Sequence, residues 1–179
     1  MRYETITDIY SANEKIHTEL NQTLAGMSET EATSLPSNEK WTIQQLVEHI
    51  AIVEFNITRI CEKLLESAKT DGKPSDGTLA VSDALTSKWA AAANLKLEAP
   101  ERVQPTGNVS ITESFKKMRE NREAFAAMRT DFESYDLSGS AFPHPYFGDL
   151  TATEWFILSG GHEARHTAQI GRLLEKVRQ

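Results

Sequence analysis

An all-α four-helix bundle is the fold that the sequence predicts, on three observations. Four long segments carry helical hydrophobic periodicity, none alternates as a half-buried strand does, and two of the four open on a capping box. The first helix is expected from about Ile6 to Met27, where Ile6, Ile9, Ile16, Leu20 and Leu24 make one stripe with His17 beside it. Pro36 and Asn38 then mark a turn. Thr42 with Gln45 three residues on opens the second helix, expected to run to Ala68. Its stripe is Leu46, His49, Val53, Ile57, Ile60 and Leu64, so His49 faces the core.

The stretch from Thr70 to Val109 is mixed. Asp71-Gly72-Lys73-Pro74 and Asp76-Gly77 are turn material, Val81 to Asn94 fits a short helix, and Pro100, Pro105 and Gly107 make a loop. Neither side of this stretch has a complete core alone, so it reads as a crossover between the second and third main helices. Residues 1–179 are therefore expected to form one domain. Ser110 with Glu113 opens the third helix, expected to reach Phe132 through Phe115, Met118, Arg122, Phe125 and Met128. A loop with Gly139, Pro143, Pro145 and Gly148 follows. In the fourth helix, from Thr151 to Val177, an arc about 120° wide holds Trp155, Leu158, His162, His166, Gln169, Ile170 and Leu173.

Composition narrows the partners. A net charge of -7 without a Lys/Arg cluster disfavours nucleic acid and anionic membrane surfaces. One cysteine, Cys61, allows no internal disulfide and suits a reducing compartment; its place on the second helix suggests a packed or half-exposed thiol. No apolar run has the length of a membrane span, and the N-terminal residues lack a signal-peptide core, so a cytoplasmic location is expected.

The chemistry lies in the histidines. His162 and His166, four residues apart, put two imidazoles on one helix face one turn apart. Burying an imidazole costs free energy unless its nitrogens find partners. A divalent metal would satisfy these two and His49 together and leave an open coordination position, as catalytic sites do. Three imidazoles suit zinc, nickel, iron or copper alike. The same residues, His162-Glu163-Ala164-Arg165-His166, match the H-E-x-x-H pattern of zinc metalloproteases. That reading fails on two counts: only a short tail follows His166 for a third ligand, and no sheet is visible. Glu163 is expected to be a helix-surface charge or the partner of a ligand histidine.

Pro36 through Trp41 with Leu46 and His49, and the run His144-Pro145-Tyr146-Phe147-Gly148-Asp149-Leu150-Thr151 followed by Trp155 and His162 to Ile170, resemble the DinB-like (YfiT-like) superfamily over nearly the whole chain. The resemblance implies an up-down-down-up four-helix bundle and a metal, often zinc or nickel, on three histidines that here map to His49, His162 and His166. It also implies homodimers and, among characterised members, transferases that use a low-molecular-weight thiol.

On this reading the protein is a metal-dependent enzyme moving such a thiol onto an electrophilic small molecule. Two alternatives stand beside it: a metal-dependent hydrolase with Glu163 or Glu48 as base, and a non-catalytic metal- or small-molecule-binding bundle. His144 is expected to hold its turn, not a metal. Gln169 could support a ligand from behind, Asn56 reads as an interior amide, Arg165 as a surface charge, and Trp41 and Trp155 as packing anchors.

Overall fold

The computed structural model describes residues 3–79, 81–92 and 98–179. Four long helices dominate: α1 (Ile6–Leu24), α3 (Ile43–Asp71), α5 (Ile111–Ala127) and α7 (Ala152–Val177). Between them lie the short helices α2 (Glu29–Thr33), α4 (Asp83–Ala92) and α6 (Arg129–Ser134), a 3-10 turn at Glu101–Val103, and the strands β1 (Phe142–His144) and β2 (Gly148–Leu150). Helix α3 packs against both α5 and α7, and α1 packs against α7.

Helix starts follow the sequence closely because the caps are local chemistry. The capping boxes at Thr42 and Ser110 form, and so do three more, Thr5 with Asp8, Ser28 with Glu31 and Thr151 with Glu154. Each such cap stabilises its helix by about 1 kcal/mol. The ends deviate further. Helix α1 stops at Leu24, short of the expected Met27, and α2 follows it. Helix α3 continues past Ala68 to Asp71 and is closed by Gly72 at φ 66°, a left-handed conformation that suits glycine. The third helix breaks at Met128, with no Gly or Pro to announce it. Met128 and Phe132 both then sit in an aromatic cluster with Phe125, Trp155 and Phe156. The expected end of the α4 segment, at Asn94, lies outside the described residues.

The loop before α7 holds the one qualitative departure, an antiparallel hairpin pairing Phe142 with Leu150 and His144 with Gly148. Three-residue strands are too short to show alternation, which is why the sequence read as loop throughout. The His144 ring holds the turn, its Nδ1 accepting from the Tyr146 and Phe147 N–H groups at 3.1 and 3.2 Å. That needs an unprotonated Nδ1, and burial, with Arg102 nearby, lowers the ring's pKa to about 4. A depressed pKa contributes stability that is present above the ordinary histidine value and lost as pH falls through the folded one. Acidification from pH 6.5 to 4 should therefore loosen the hairpin by on the order of 1 kcal/mol, screening at this half-exposed ring keeping the loss small. Trp155, whose indole donates to the Phe142 carbonyl at 3.2 Å, reports it by fluorescence. His144→Asn, which can accept the same bonds without titrating, should flatten the profile.

The core has two parts. The aromatic cluster lies near the hairpin, and an aliphatic one gathers Leu20, Ile43, Leu46, Ile50, Met118, Ile170 and Leu173. Along every long helix, polar residues interrupt the apolar series between the two clusters: Asn13 and His17, Glu54, Asn121 and Arg122, and His162 to His166. The core thus carries a polar belt at mid-height.

Candidate metal centre

One flank of that belt holds the three predicted histidines. His49 is 4 % exposed on α3, behind the Thr42 cap. His162 and His166 reach it from successive turns of α7. The His49 and His162 Nε2 atoms are 3.2 Å apart. Ring centroids are 5.0 Å apart for His49 with either partner and 4.5 Å for His162 with His166. One nitrogen from each ring lies within 4.8 Å of the others, so the three could hold a metal ion.

The surroundings prepare the rings for that role. The His49 Nδ1–H donates to the Val103 carbonyl at 2.7 Å, which fixes the tautomer and leaves Nε2 with its lone pair. The His166 Nδ1–H donates to the Gln169 Oε1 at 2.9 Å with the same effect. Burial lowers all three pKa values, that of His166 to about 4 and that of His162 well below the usual range, so the rings are neutral, as ligands must be. Converging lone pairs on neutral imidazoles are the donor set of a borderline divalent ion, and three protein ligands leave a position open.

Two supports for this geometry were not visible in sequence. Val103 comes from the 3-10 turn after the long connection, and Glu48 ties that segment down. The Glu48 Oε1 accepts from the Thr106 backbone and hydroxyl at 2.9 and 2.8 Å, and Oε2 accepts from the Gly107 N–H at 2.9 Å. The carboxylate considered as a hydrolytic base is thus committed to structure. Above α7, the Trp89 ring presses on Gly161, where a Cβ would lie 2.0 Å from it, and stacks on Phe147. Trp41 packs on His49 with centroids 4.9 Å apart, and Trp155 is buried, both as packing anchors.

Glu163 corrects an expectation. It is 2 % exposed and is neither a surface charge nor a partner of a ligand histidine. Its Oε1 accepts from Arg122 Nη2 at 3.3 Å, and its Oε2 lies 2.5 Å from His17 Nδ1. Those partners belong to α5 and α1, on the other flank of α7, so the glutamate of the H-E-x-x-H pattern is turned away from the triad. Cys61 is fully buried, its thiol donating to the Ala152 carbonyl at 3.6 Å, with burial pushing its pKa up. Asn56 bonds to its own helix, at the Ile52 carbonyl, and Arg165 is exposed.

The comparisons with known proteins agree with this architecture. A family model described as the DinB superfamily matches residues 12–170, a span that includes all three histidines. An uncharacterized protein of Bacillus subtilis (strain 168), YuaE, is 24 % identical over 158 residues, covering 86 % of this chain and 90 % of its own. The crystal structure of TT2238, a four-helix bundle protein, matches with a TM-score of 0.59 at 18 % identity, over 93 % of this chain and 97 % of that one. At that identity the likeness speaks for the fold. Among the described residues no helix is long and apolar enough to cross a membrane.

Proposed function

The chain belongs to the DinB superfamily, and from that membership and the converging imidazoles we propose that it is a metal-dependent enzyme transferring a low-molecular-weight thiol to an electrophilic small molecule. The observation that carries the reading is the juxtaposition of one nitrogen each from His49, His162 and His166 within 4.8 Å. Within the proposal the bundle runs up-down-down-up with the α3–α5 connection as its crossover, the ion is zinc or nickel, and the protein is a homodimer. A bound ion would supply the Lewis acidity that favours a small thiol as thiolate near neutral pH. The chain's own part is to hold three neutral imidazoles with their lone pairs inward, through the Val103 carbonyl and the Gln169 amide.

The hydrolytic alternative needs a carboxylate base, and both candidates are engaged elsewhere, Glu48 with Thr106 and Gly107 and Glu163 with Arg122 and His17. Thiol transfer needs no such base, which is why the geometry favours it. The test is conjugation of glutathione, bacillithiol or mycothiol to a chromogenic aryl halide. We expect turnover above background with zinc or nickel, abolished by chelation and in His166→Ala. Metal-dependent ester hydrolysis without thiol transfer would contradict the reading, as would tight thiol binding without turnover.

A further inference from the structure

The opposite flank of α7 carries a second cluster that the histidine triad does not use. His17 from α1, Glu54 from α3 and Glu163 from α7 each offer one ligand atom, all within 4.8 Å of one another. Their side chains are 12 %, 5 % and 2 % exposed. His17 and Glu54 line a cavity of about 120 Å³ together with Tyr10, Asn13, Arg122 and Ser159.

The hydrogen bonding of this cluster is incomplete. Each carboxylate commits one oxygen: Glu163 Oε1 to Arg122 Nη2 at 3.3 Å, and Glu54 Oε2 to the Asn121 amide at 3.4 Å. The other oxygens, Glu163 Oε2 and Glu54 Oε1, have ion-pair contacts alone, to His17 Nδ1 at 2.5 Å and Arg122 Nε at 4.0 Å. His17 Nδ1 and Glu163 Oε2 are 2.5 Å apart without the alignment of a hydrogen bond, and Nδ1 has no other partner. Asn13, 6 % exposed on the same cavity wall, leaves its Oδ1 unpartnered. Arg122 Nε on the same cavity is also without a hydrogen-bond partner. A buried polar atom without a partner costs about 1–3 kcal/mol, so three in one place point to a missing ligand.

The charge count says which kind. Two buried carboxylates, Glu54 and Glu163, share the single guanidinium of Arg122, a donor set that suits a cation and not an anion. In keeping with this, burial and then the neighbouring Glu163 charge push the Glu54 carboxyl up to about 8, so without a cation it keeps its proton. Bundle interiors elsewhere house metals on Glu and His from facing helices. We propose that His17, Glu54 and Glu163 form a second divalent-cation site. One imidazole with oxygen donors is a harder set than three imidazoles, so Mn2+ or Fe2+ suits it better than the ions of the triad. The two sites share α7 through the adjacent residues His162 and Glu163, one ligand on each flank.

This inference is independent of the triad, and one titration separates them. Metal-free protein is titrated with Mn2+ while the free ion is followed by electron paramagnetic resonance, for wild type, His49→Ala/His166→Ala, Glu54→Gln and the triple variant. Circular dichroism checks folding, and Glu54→Gln keeps the shape of the side chain while removing its capacity to become an anionic ligand. The double histidine variant should retain one equivalent of Mn2+, and adding Glu54→Gln should weaken that binding at least tenfold. Wild type binding one equivalent that disappears with the histidine pair would overturn this site and leave the triad standing. One equivalent that survives the histidine pair but is lost with Glu54→Gln would uphold this site. Mn2+ affinity unchanged by Glu54→Gln would show that a proton alone completes the cluster and would overturn the proposal.

Discussion

His49→Ala is expected to lose stoichiometric zinc or nickel, with affinity falling by at least about 100-fold. Removing only an outer partner of a ligand histidine typically costs about 10–100-fold, and this substitution removes the ligand itself together with its bond to the Val103 carbonyl. The remaining pair, His162 and His166, sits on one helix, and two imidazoles alone hold an ion weakly. His49 is also the only triad member from α3, so it alone makes the site a bridge between helices. Elemental analysis of protein purified without added metal is the check, with thermal melts to confirm folding. A full equivalent of zinc or nickel retained by His49→Ala in a Glu54→Gln background, where the second cluster is disabled, would show that the first ligand is not His49.

Gly160→Ala should destabilise the bundle although it improves helix propensity. Alanine gains about 1 kcal/mol over glycine inside a helix. Against this, a Cβ at position 160 would lie 1.9 Å from Asn13 Oδ1 and 2.8 Å from its Cγ, on the face where α1 meets α7. Asn13 is short and buried, so it yields only by giving up its bond to the Phe156 carbonyl and turning into the cavity beside it, or the helices separate. Overpacking of this kind costs about 1–3 kcal/mol, and after the propensity gain the net loss is up to about 2 kcal/mol. For a chain of this length that lowers the melting temperature by up to about 8 °C. Gly171→Ala is the control of opposite sign: it lies in the same helix with nothing within 4 Å of its added Cβ, so it should melt higher than wild type. Equal shifts in the two variants would show that α1 does not approach α7 as described.

The histidine triad was legible because it breaks a pattern. His49, His162 and His166 stand at apolar positions of periodic helices, and the spacing of four fixes the pair without any tertiary information. The same signal was present at Asn13, Glu54, Arg122 and Glu163, but each is the common helix-surface type and no spacing within one helix links them. Their partners come from four different helices, and only the packing of α1, α3, α5 and α7 brings them together. Glu163 shows the limit most clearly: its angle on the helix wheel says that it points away from the triad, and the wheel does not say that α1 and α5 wait on that side. The break at Met128 and the hairpin at Phe142–Leu150 escaped for a related reason. Both are set by how aromatic side chains dock, Phe132 in the cluster and Trp155 on the Phe142 carbonyl, and not by local propensity. Val103 belongs with these, since a backbone carbonyl in a loop that fixes the His49 tautomer leaves no trace in residue type.

Metal-edge X-ray absorption on the Glu54→Gln variant, loaded with one equivalent of nickel or zinc, addresses the triad most directly because the second cluster is then disabled. The account predicts a first shell with three imidazole nitrogens at about 2.0–2.1 Å and the multiple-scattering signature of histidine rings. A shell of oxygen donors without that signature would contradict it.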